Sequence, residues 1–162
     1  MPKSARGPAT MEHGASVEAM SRSFQVTFDA LDTRALAAFW GEALGYVLQP
    51  PPDGFDSWEA FADAVAIPEE DRDRLAAVVD PDGDGPRILI QKVPETKTAK
   101  NRCHLDVVVT DRSMEPTERK VAIEAEAERL VALGATRGAS FEEAIGTWTV
   151  MQDPEGNEFC LH

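Results

Sequence analysis

From Phe24 onward the chain alternates: Val26, Phe28 and Ala30 are apolar or small, while Gln25, Thr27 and Asp29 are polar. A period of two predicts a strand with one buried face. The period then lengthens. Leu36, Phe39, Trp40, Ala43 and Leu44 recur at helical spacing behind Asp32, a good N-cap type, and ahead of Gly45, a residue suited to ending a helix. Tyr46–Leu48 predicts a second strand, stopped by Pro50, Pro51 and Pro52. Two short helices are expected next, one opening at Ser57 with Trp58, Phe61, Ala62 and Val65 on one face, the other following Pro68. Val78–Val79 and Arg87–Val93 read as strands around the turn-rich Asp80-Pro81-Asp82-Gly83-Asp84-Gly85.

The pattern then starts again. The run from His104 to Asp111 lines up with the run from Gln25 to Asp32, each alternating and each ending in Asp seven residues after its start. A longer helix follows, with Ile123, Ala127, Leu130 and Val131 on one side, closing at Leu133-Gly134 as the first closes at Leu44-Gly45. The turn Asp153-Pro154-Glu155-Gly156 echoes Asp80-Pro81-Asp82-Gly83, and each precedes a final strand. These repeats predict an α+β fold of two tandem β-α-β-β-β modules, about 23–94 and 101–162, whose curved sheets enclose a cleft. The stretch 1–22 mixes Pro, Gly, Ser and Ala without a sustained apolar period or a signal-peptide core, and reads as a disordered arm.

Composition narrows the functions open to such a fold. With 162 residues, 43% of them hydrophobic, the chain can bury a core without disulfides. Only Cys103 and Cys160 are present, without metal-finger spacing, which fits a reducing cytoplasm. Sixteen Lys and Arg against 29 Asp and Glu leave a net charge of −13, the wrong sign for a nucleic-acid partner. No apolar run approaches the ~18 residues that suggest a membrane span.

The duplicated module with its Asp-Pro-x-Gly turns resembles the glyoxalase/bleomycin-resistance/dihydroxybiphenyl-dioxygenase superfamily, the vicinal oxygen chelate proteins. Lys100-Asn101-Arg102-Cys103-His104-Leu105-Asp106 and Asp153 to Cys160 resemble in particular a bacterial glyoxalase-like domain family. The resemblance covers residues 23–162. It implies that a divalent metal, where one is used, would be held by Gln25, Gln91, His104 and Cys160. Two neutral amides and a thiol are a weak set for a catalytic ion, and neither Gln91 nor Cys160 is the carboxylate that glyoxalase-type proton transfer requires. The metal site is therefore expected to be degenerate, with no cofactor assigned and a divalent metal left open as the alternative.

Each candidate has a plainer reading beside its functional one. His104 is a ligand or proton carrier, or simply a hydrogen-bonding residue on a cleft-facing strand. Asp106 shares its face and either orients a ligand or pairs with Arg102. Cys160, with Glu158 on its face, is expected to be an inert thiol, and Cys103, on the opposite face, to be core. Arg102 and Lys100 either hold a substrate anion or are solvated. Trp58 and Phe61 belong to an insertion that either covers the cleft or forms a satellite mini-core. Trp40 is packing, Trp148 faces either layer, and the Glu-rich run 115–129 is a solvated helix face.

Three functions follow. The first is binding of a small organic molecule by Gln25, Gln91, His104, Asp106, Cys160, Arg102 and Trp58. The second is a divalent-metal lyase, isomerase or dioxygenase-like enzyme, and the third is drug sequestration of the bleomycin-resistance kind. The resemblance also implies a homodimer.

Overall fold

The computed structural model describes residues 23–162, and the arm expected over 1–22 lies outside the described residues. The alternating segments become strands and the periodic ones helices. The first module runs β1 (Gln25–Ala30), α1 (Thr33–Leu44), β2 (Val47–Leu48), α2 (Trp58–Ala64), β3 (Leu75–Val79) and β4 (Arg87–Lys92). The second runs β5 (Leu105–Val107), α3 (Pro116–Ala132), β6 (Thr136–Glu143), β7 (Gly146–Gln152) and β8 (Glu158–Leu161). Each module forms a four-stranded sheet, ordered β1-β4-β3-β2 and β5-β8-β7-β6. In both sheets the first and last strands of the module pair in parallel, and the other neighbours are antiparallel.

Local chemistry sets the helix ends. The Asp32 carboxylate accepts from Arg34 N and Ala35 N at 3.1 and 3.0 Å, relieving backbone donors that α1 leaves unpaired. Gly45, at φ 68°, turns the chain out of α1 through a backbone conformation that costs glycine little. Ser57 caps α2, and Glu115 and Glu118 form a reciprocal capping box ahead of α3.

The helix-facing sides of both sheets fill one continuous core. Leu36, Trp40, Val78, Ile88 and Ile90 of the first module join Leu130, Met151, Phe159 and Leu161 of the second. Trp40 lies at the joint. Its ring stacks on Phe28 at 5.1 Å and meets Phe159 edge-on at 5.2 Å, while Nε1 donates to Asp153 Oδ2 at 3.1 Å. Asp153, buried in the Asp-Pro-x-Gly turn, also accepts from Glu155 N, Asn157 N and the Asn157 amide. Burial still pushes its carboxyl above the usual range, against the pull of those donors. The same turn reaches back: Glu155 Oε1 accepts from Leu31 N and Asp32 N, both at 2.9 Å, where β1 gives way to α1.

Three expectations need correction. The helix expected after Pro68 is only a single 3₁₀ turn, Glu69–Asp71, because this acidic stretch has no apolar stripe with which to extend into the core. Cys103 is exposed rather than core, since β5 begins at Leu105 and the bend before it does not obey strand alternation. Val131 is exposed, and α3 buries Ile123, Ala127 and Leu130 alone.

Candidate functional site

Because the helix-facing sides share one core, the opposite sides of both sheets are left open. On the first sheet, strand alternation puts Gln25, Thr27 and Asp29 of β1 on this open face with Arg87, Leu89 and Gln91 of β4 and Leu75, Ala77 and Val79 of β3. The ladders order them into rows: Gln25 beside Arg87, Thr27 beside Leu89 and Ala77, and Asp29 beside Gln91 and Leu75. One step further along the same registers, Val79 follows Arg87, and Val47 of β2 follows Val79. The face thus grades from polar at β1 to apolar at β3. Arg87 bridges the first row, donating from Nη1 to Gln25 Oε1 at 2.8 Å and from Nε to Gln49 Oε1 at 2.6 Å. Gln91 Nε2 donates to Asp29 Oδ1 at 2.7 Å.

The second sheet repeats this arrangement with different chemistry. Its open face holds Asp106 of β5, Cys160 of β8 and Val150 of β7 in one row. Burial raises the Cys160 thiol pKa, and the Asp106 charge and hydrogen bond add to the shift, so the group stays a protonated thiol rather than a nucleophile. Glu158 is not the cause. Lys97 Nζ meets its carboxylate at 2.8 Å and Asn101 N donates at 3.0 Å, which holds it at a pKa of about 2. The inter-module connection is thereby tied to the start of β8. Asp106 likewise forms no ion pair with Arg102 among the described residues; Cys160 is its neighbour.

The backbone corrects the matching of the two modules. Ala30 O accepts from Val93 N, and Val107 O accepts from His162 N, so Ala30 corresponds to Val107 and Val93 to His162. Counting back along these parallel ladders, Asp29 corresponds to Asp106, Gln91 to Cys160 and Thr27 to His104. Gln25 is then the counterpart of Arg102, two residues away from the expected pairing with His104. The cause is the connection into the helix: Ala30 is followed by Asp32 after one residue, whereas Val107 is followed by Asp111 after three. Gln25 lies on the open face of β1, whereas His104 precedes β5 and is exposed outside the strand alternation.

The carried-over metal positions do not make a ligand set. Gln25 Oε1 and the Gln91 amide are already engaged with Arg87 and Asp29, and Cys160 is held as a thiol beside Asp106. Among the described residues no three His, Cys, Asp or Glu side chains converge as metal ligands. These donors do not fit a divalent ion. Trp58, in the insertion, donates from Nε1 to Gln49 O at 2.8 Å and meets Phe61 edge-on at 5.8 Å, with Phe55 beyond at 5.2 Å from Phe61. The insertion therefore has its own aromatic cluster, attached at the residue that also holds Arg87. Trp148 faces outward, stacked on Phe141 at 5.3 Å. Arg102 and His104 are exposed in the bend before β5.

Arg87 is the residue that the sequence reading passed over. Its signal was present, since Arg87 and Gln91 share parity along one strand. A separate hollow of about 550 Å³ lies between the start of α1 and the insertion, bordered by Asp32, Arg34, Glu59, Arg72, Asp73 and Lys92. It contains none of the candidate residues. Two of its cations are already committed, Arg72 to Asp63 and Lys92 to Asp73. Among the described residues, no helix is long and apolar enough to cross a membrane.

Residues 25–162 match the family model described as a glyoxalase-like domain. No curated protein matches the sequence. Similar solved structures include a glyoxalase/bleomycin resistance protein/dioxygenase family enzyme from Burkholderia phytofirmans, 18% identical, with TM-score 0.55 over 85% of this chain and 94% of that one. The fosfomycin resistance protein FosX from Mesorhizobium loti is 14% identical, with TM-score 0.55 over 90% of this chain and 91% of its own. A FosX variant from Listeria monocytogenes, described as complexed with Mn(II) and 1S,2S-dihydroxypropylphosphonic acid, is 14% identical, with TM-score 0.56 over 88% and 90%. At these identities the likeness is one of fold.

Proposed function

The chain belongs to the glyoxalase-like domain family, and from that premise we propose that it binds a small organic molecule across the open faces of its two sheets, at a metal site that has degenerated. The observation that carries the reading is the pair of matching side-chain couples, Asp29 with Gln91 and Asp106 with Cys160, on faces turned away from the shared core. Asp29, Gln91 and Asp106 are exposed and Cys160 is half-buried, so these polar groups are accessible to orient a ligand. Gln25 extends the first face, His104 and Arg102 are exposed in the approach to β5, and Trp58 reaches the first face through Gln49. The protein acts in the cytoplasm, as a homodimer, with neither nucleic acid nor membrane as partner.

The rival readings are a divalent-metal lyase, isomerase or dioxygenase-like enzyme, and a drug-sequestering protein. Metal-stripped protein, screened by thermal shift against Mn(II), Ni(II), Zn(II) and a panel of small organic molecules, separates them. The proposal expects stabilisation by organic compounds and none by the ions. A metal-dependent rise in Tm that disappears in His104→Ala would overturn it in favour of the enzyme.

A further inference from the structure

We infer that Arg87 is an oxyanion-binding residue, and that the ligand of the first sheet is an organic anion with an apolar body. The inference rests on the reading of the open faces as ligand-binding and names the chemistry they select. Arg87 is half-buried on the open face, yet both of its hydrogen-bond partners there are neutral amide oxygens, Oε1 of Gln25 and Oε1 of Gln49. Among the described residues no carboxylate lies within ion-pair distance of it; Arg34, Lys100, Arg102 and Arg112 also lack one but are exposed, and Arg119 donates to backbone carbonyls, so Arg87 differs in being half-buried and held by side-chain amides alone. With Asp and Glu in excess by 13, a carboxylate partner was easy to supply.

Two amide dipoles orient the guanidinium without neutralising it. Only Nε and Nη1 are used, so part of the planar donor fork remains for a carboxylate, phosphate or phosphonate, which it matches in geometry. What lies beside the charge suggests the rest of the ligand. Val79 and Val47 continue the Arg87 row, and Leu89 and Ala77 make up the next. Leu75 completes the apolar side, 60% exposed on a face with no further strand to cover it. Trp58 acts as a positioning residue: its indole holds the Gln49 backbone, whose side chain in turn holds Arg87.

The test titrates phenylphosphonate, phenylacetate and neutral phenylacetamide into isotopically labelled full-length protein. The readouts are the backbone amides of Thr27, Ala77 and Leu89 and the Nε–H of Arg87, observed by NMR. Both anions should shift the Arg87 signal and bind about tenfold or more tightly than phenylacetamide, the usual gain for a charge-assisted pair. Arg87→Gln should bring the anions down to the level of the amide, while Arg34→Gln leaves them unchanged. The ratio of phosphonate to carboxylate affinity distinguishes the two head groups, and either order supports the inference. Equal binding of acid and amide, or undiminished anion binding in Arg87→Gln, would overturn it and leave the open-face reading standing. Silence of these amides toward all three compounds would overturn both. If Arg87→Gln does not fold, the wild-type ratio of phenylacetate to phenylacetamide decides alone.

Discussion

The two modules share a topology and a parallel ladder, yet they divide the work of the molecule unequally. α1 has 12 residues and buries seven of them, whereas α3 has 17 and buries three. Both helices end in the same way, with Tyr46 N donating to Gly41 O and Ala135 N to Leu130 O, so Trp40 in α1 occupies the place of Arg129 in α3. Trp40 enters the core between the modules; Arg129 stays near the surface, paired with Glu126 and donating to Glu42 O. The Asp-Pro-x-Gly turns diverge in the same direction. Asp153 is buried against Trp40, while Asp80 serves its own loop, accepting from Asp82 N and Gly85 N. A duplicated unit has thus been specialised: the first module supplies the wedge that joins the pair, and the second supplies the socket.

The largest effect expected from this asymmetry is at Trp40. Trp40→Ala removes the contacts with Phe28, Phe39 and Phe159 and leaves Asp153 without one of its donors. It should cost about 3–5 kcal/mol in urea denaturation, the range for deleting a buried aromatic side chain. Arg129→Ala, at the matching position, should cost about 1 kcal/mol or less, as exposed ion pairs do. Similar costs at the two sites would erase the distinction between wedge and surface.

Next is the socket. In Asp153→Asn, the new amide presents NH₂ toward Trp40 Nε1 or the backbone donors of the turn, all of which need an acceptor. About 2–3 kcal/mol should be lost, as for a buried donor left unpaired. Asp80→Asn should cost less than this, because the half-buried Asp80 carboxylate holds only the backbone of its own loop, through Asp82 N and Gly85 N.

A third effect is one of pH, and the two carboxylates of the β8 turn respond in opposite directions. The pKa of Glu158 lies near 2 when folded, below the ordinary glutamate value, so its contribution is present above about pH 4.5 and lost as pH falls toward 2. Asp153 is raised when folded, so its ionised form works against folding above the ordinary carboxylate range, and that penalty is relieved as pH falls through the folded value. Glu158→Gln should therefore destabilise at pH 7 by about 1–2 kcal/mol, allowing for solvent around the Lys97 pair, and flatten the acid limb of the stability profile. An acid limb that stays as steep in the variant would assign it to other carboxylates.

These contrasts show which parts of the molecule could be read from the chain alone. β1, α1 and the repeat were legible because their cues are local: alternation, an Asp cap, a glycine stop. The faces of Gln25, Gln91, Asp106 and Cys160 were legible too, because each lies within a strand and alternation fixes its side. The partners were not. Arg87 meets Gln49 and Gln25 across 38 and 62 residues, a juxtaposition made by strand order, which alternation does not encode. Cys103 failed for the opposite reason, because period-two logic was extended past the residue where the strand begins.

The smallest expected effect tests the equivalence on which the site reading depends. If Gln91 and Cys160 hold corresponding places, each beside the Asp of its own module, then a side chain that serves one should serve the other. Cys160→Gln places an amide donor where the thiol now donates to Asp106, as Gln91 Nε2 does toward Asp29 at 2.7 Å. The position lies on an open face, so the added length can extend outward without overpacking the core. The cost should be within about 0.5 kcal/mol, the level of a surface replacement. Cys160→Asp, which sets two carboxylates side by side, should cost more and recover as pH falls, because like charges cannot both ionise cheaply at contact. Chemical denaturation at pH 7 and pH 5 measures both variants. A loss of 2 kcal/mol or more in Cys160→Gln would mean that the two couples occupy different surroundings, and the matching faces would then be a resemblance of sequence parity alone.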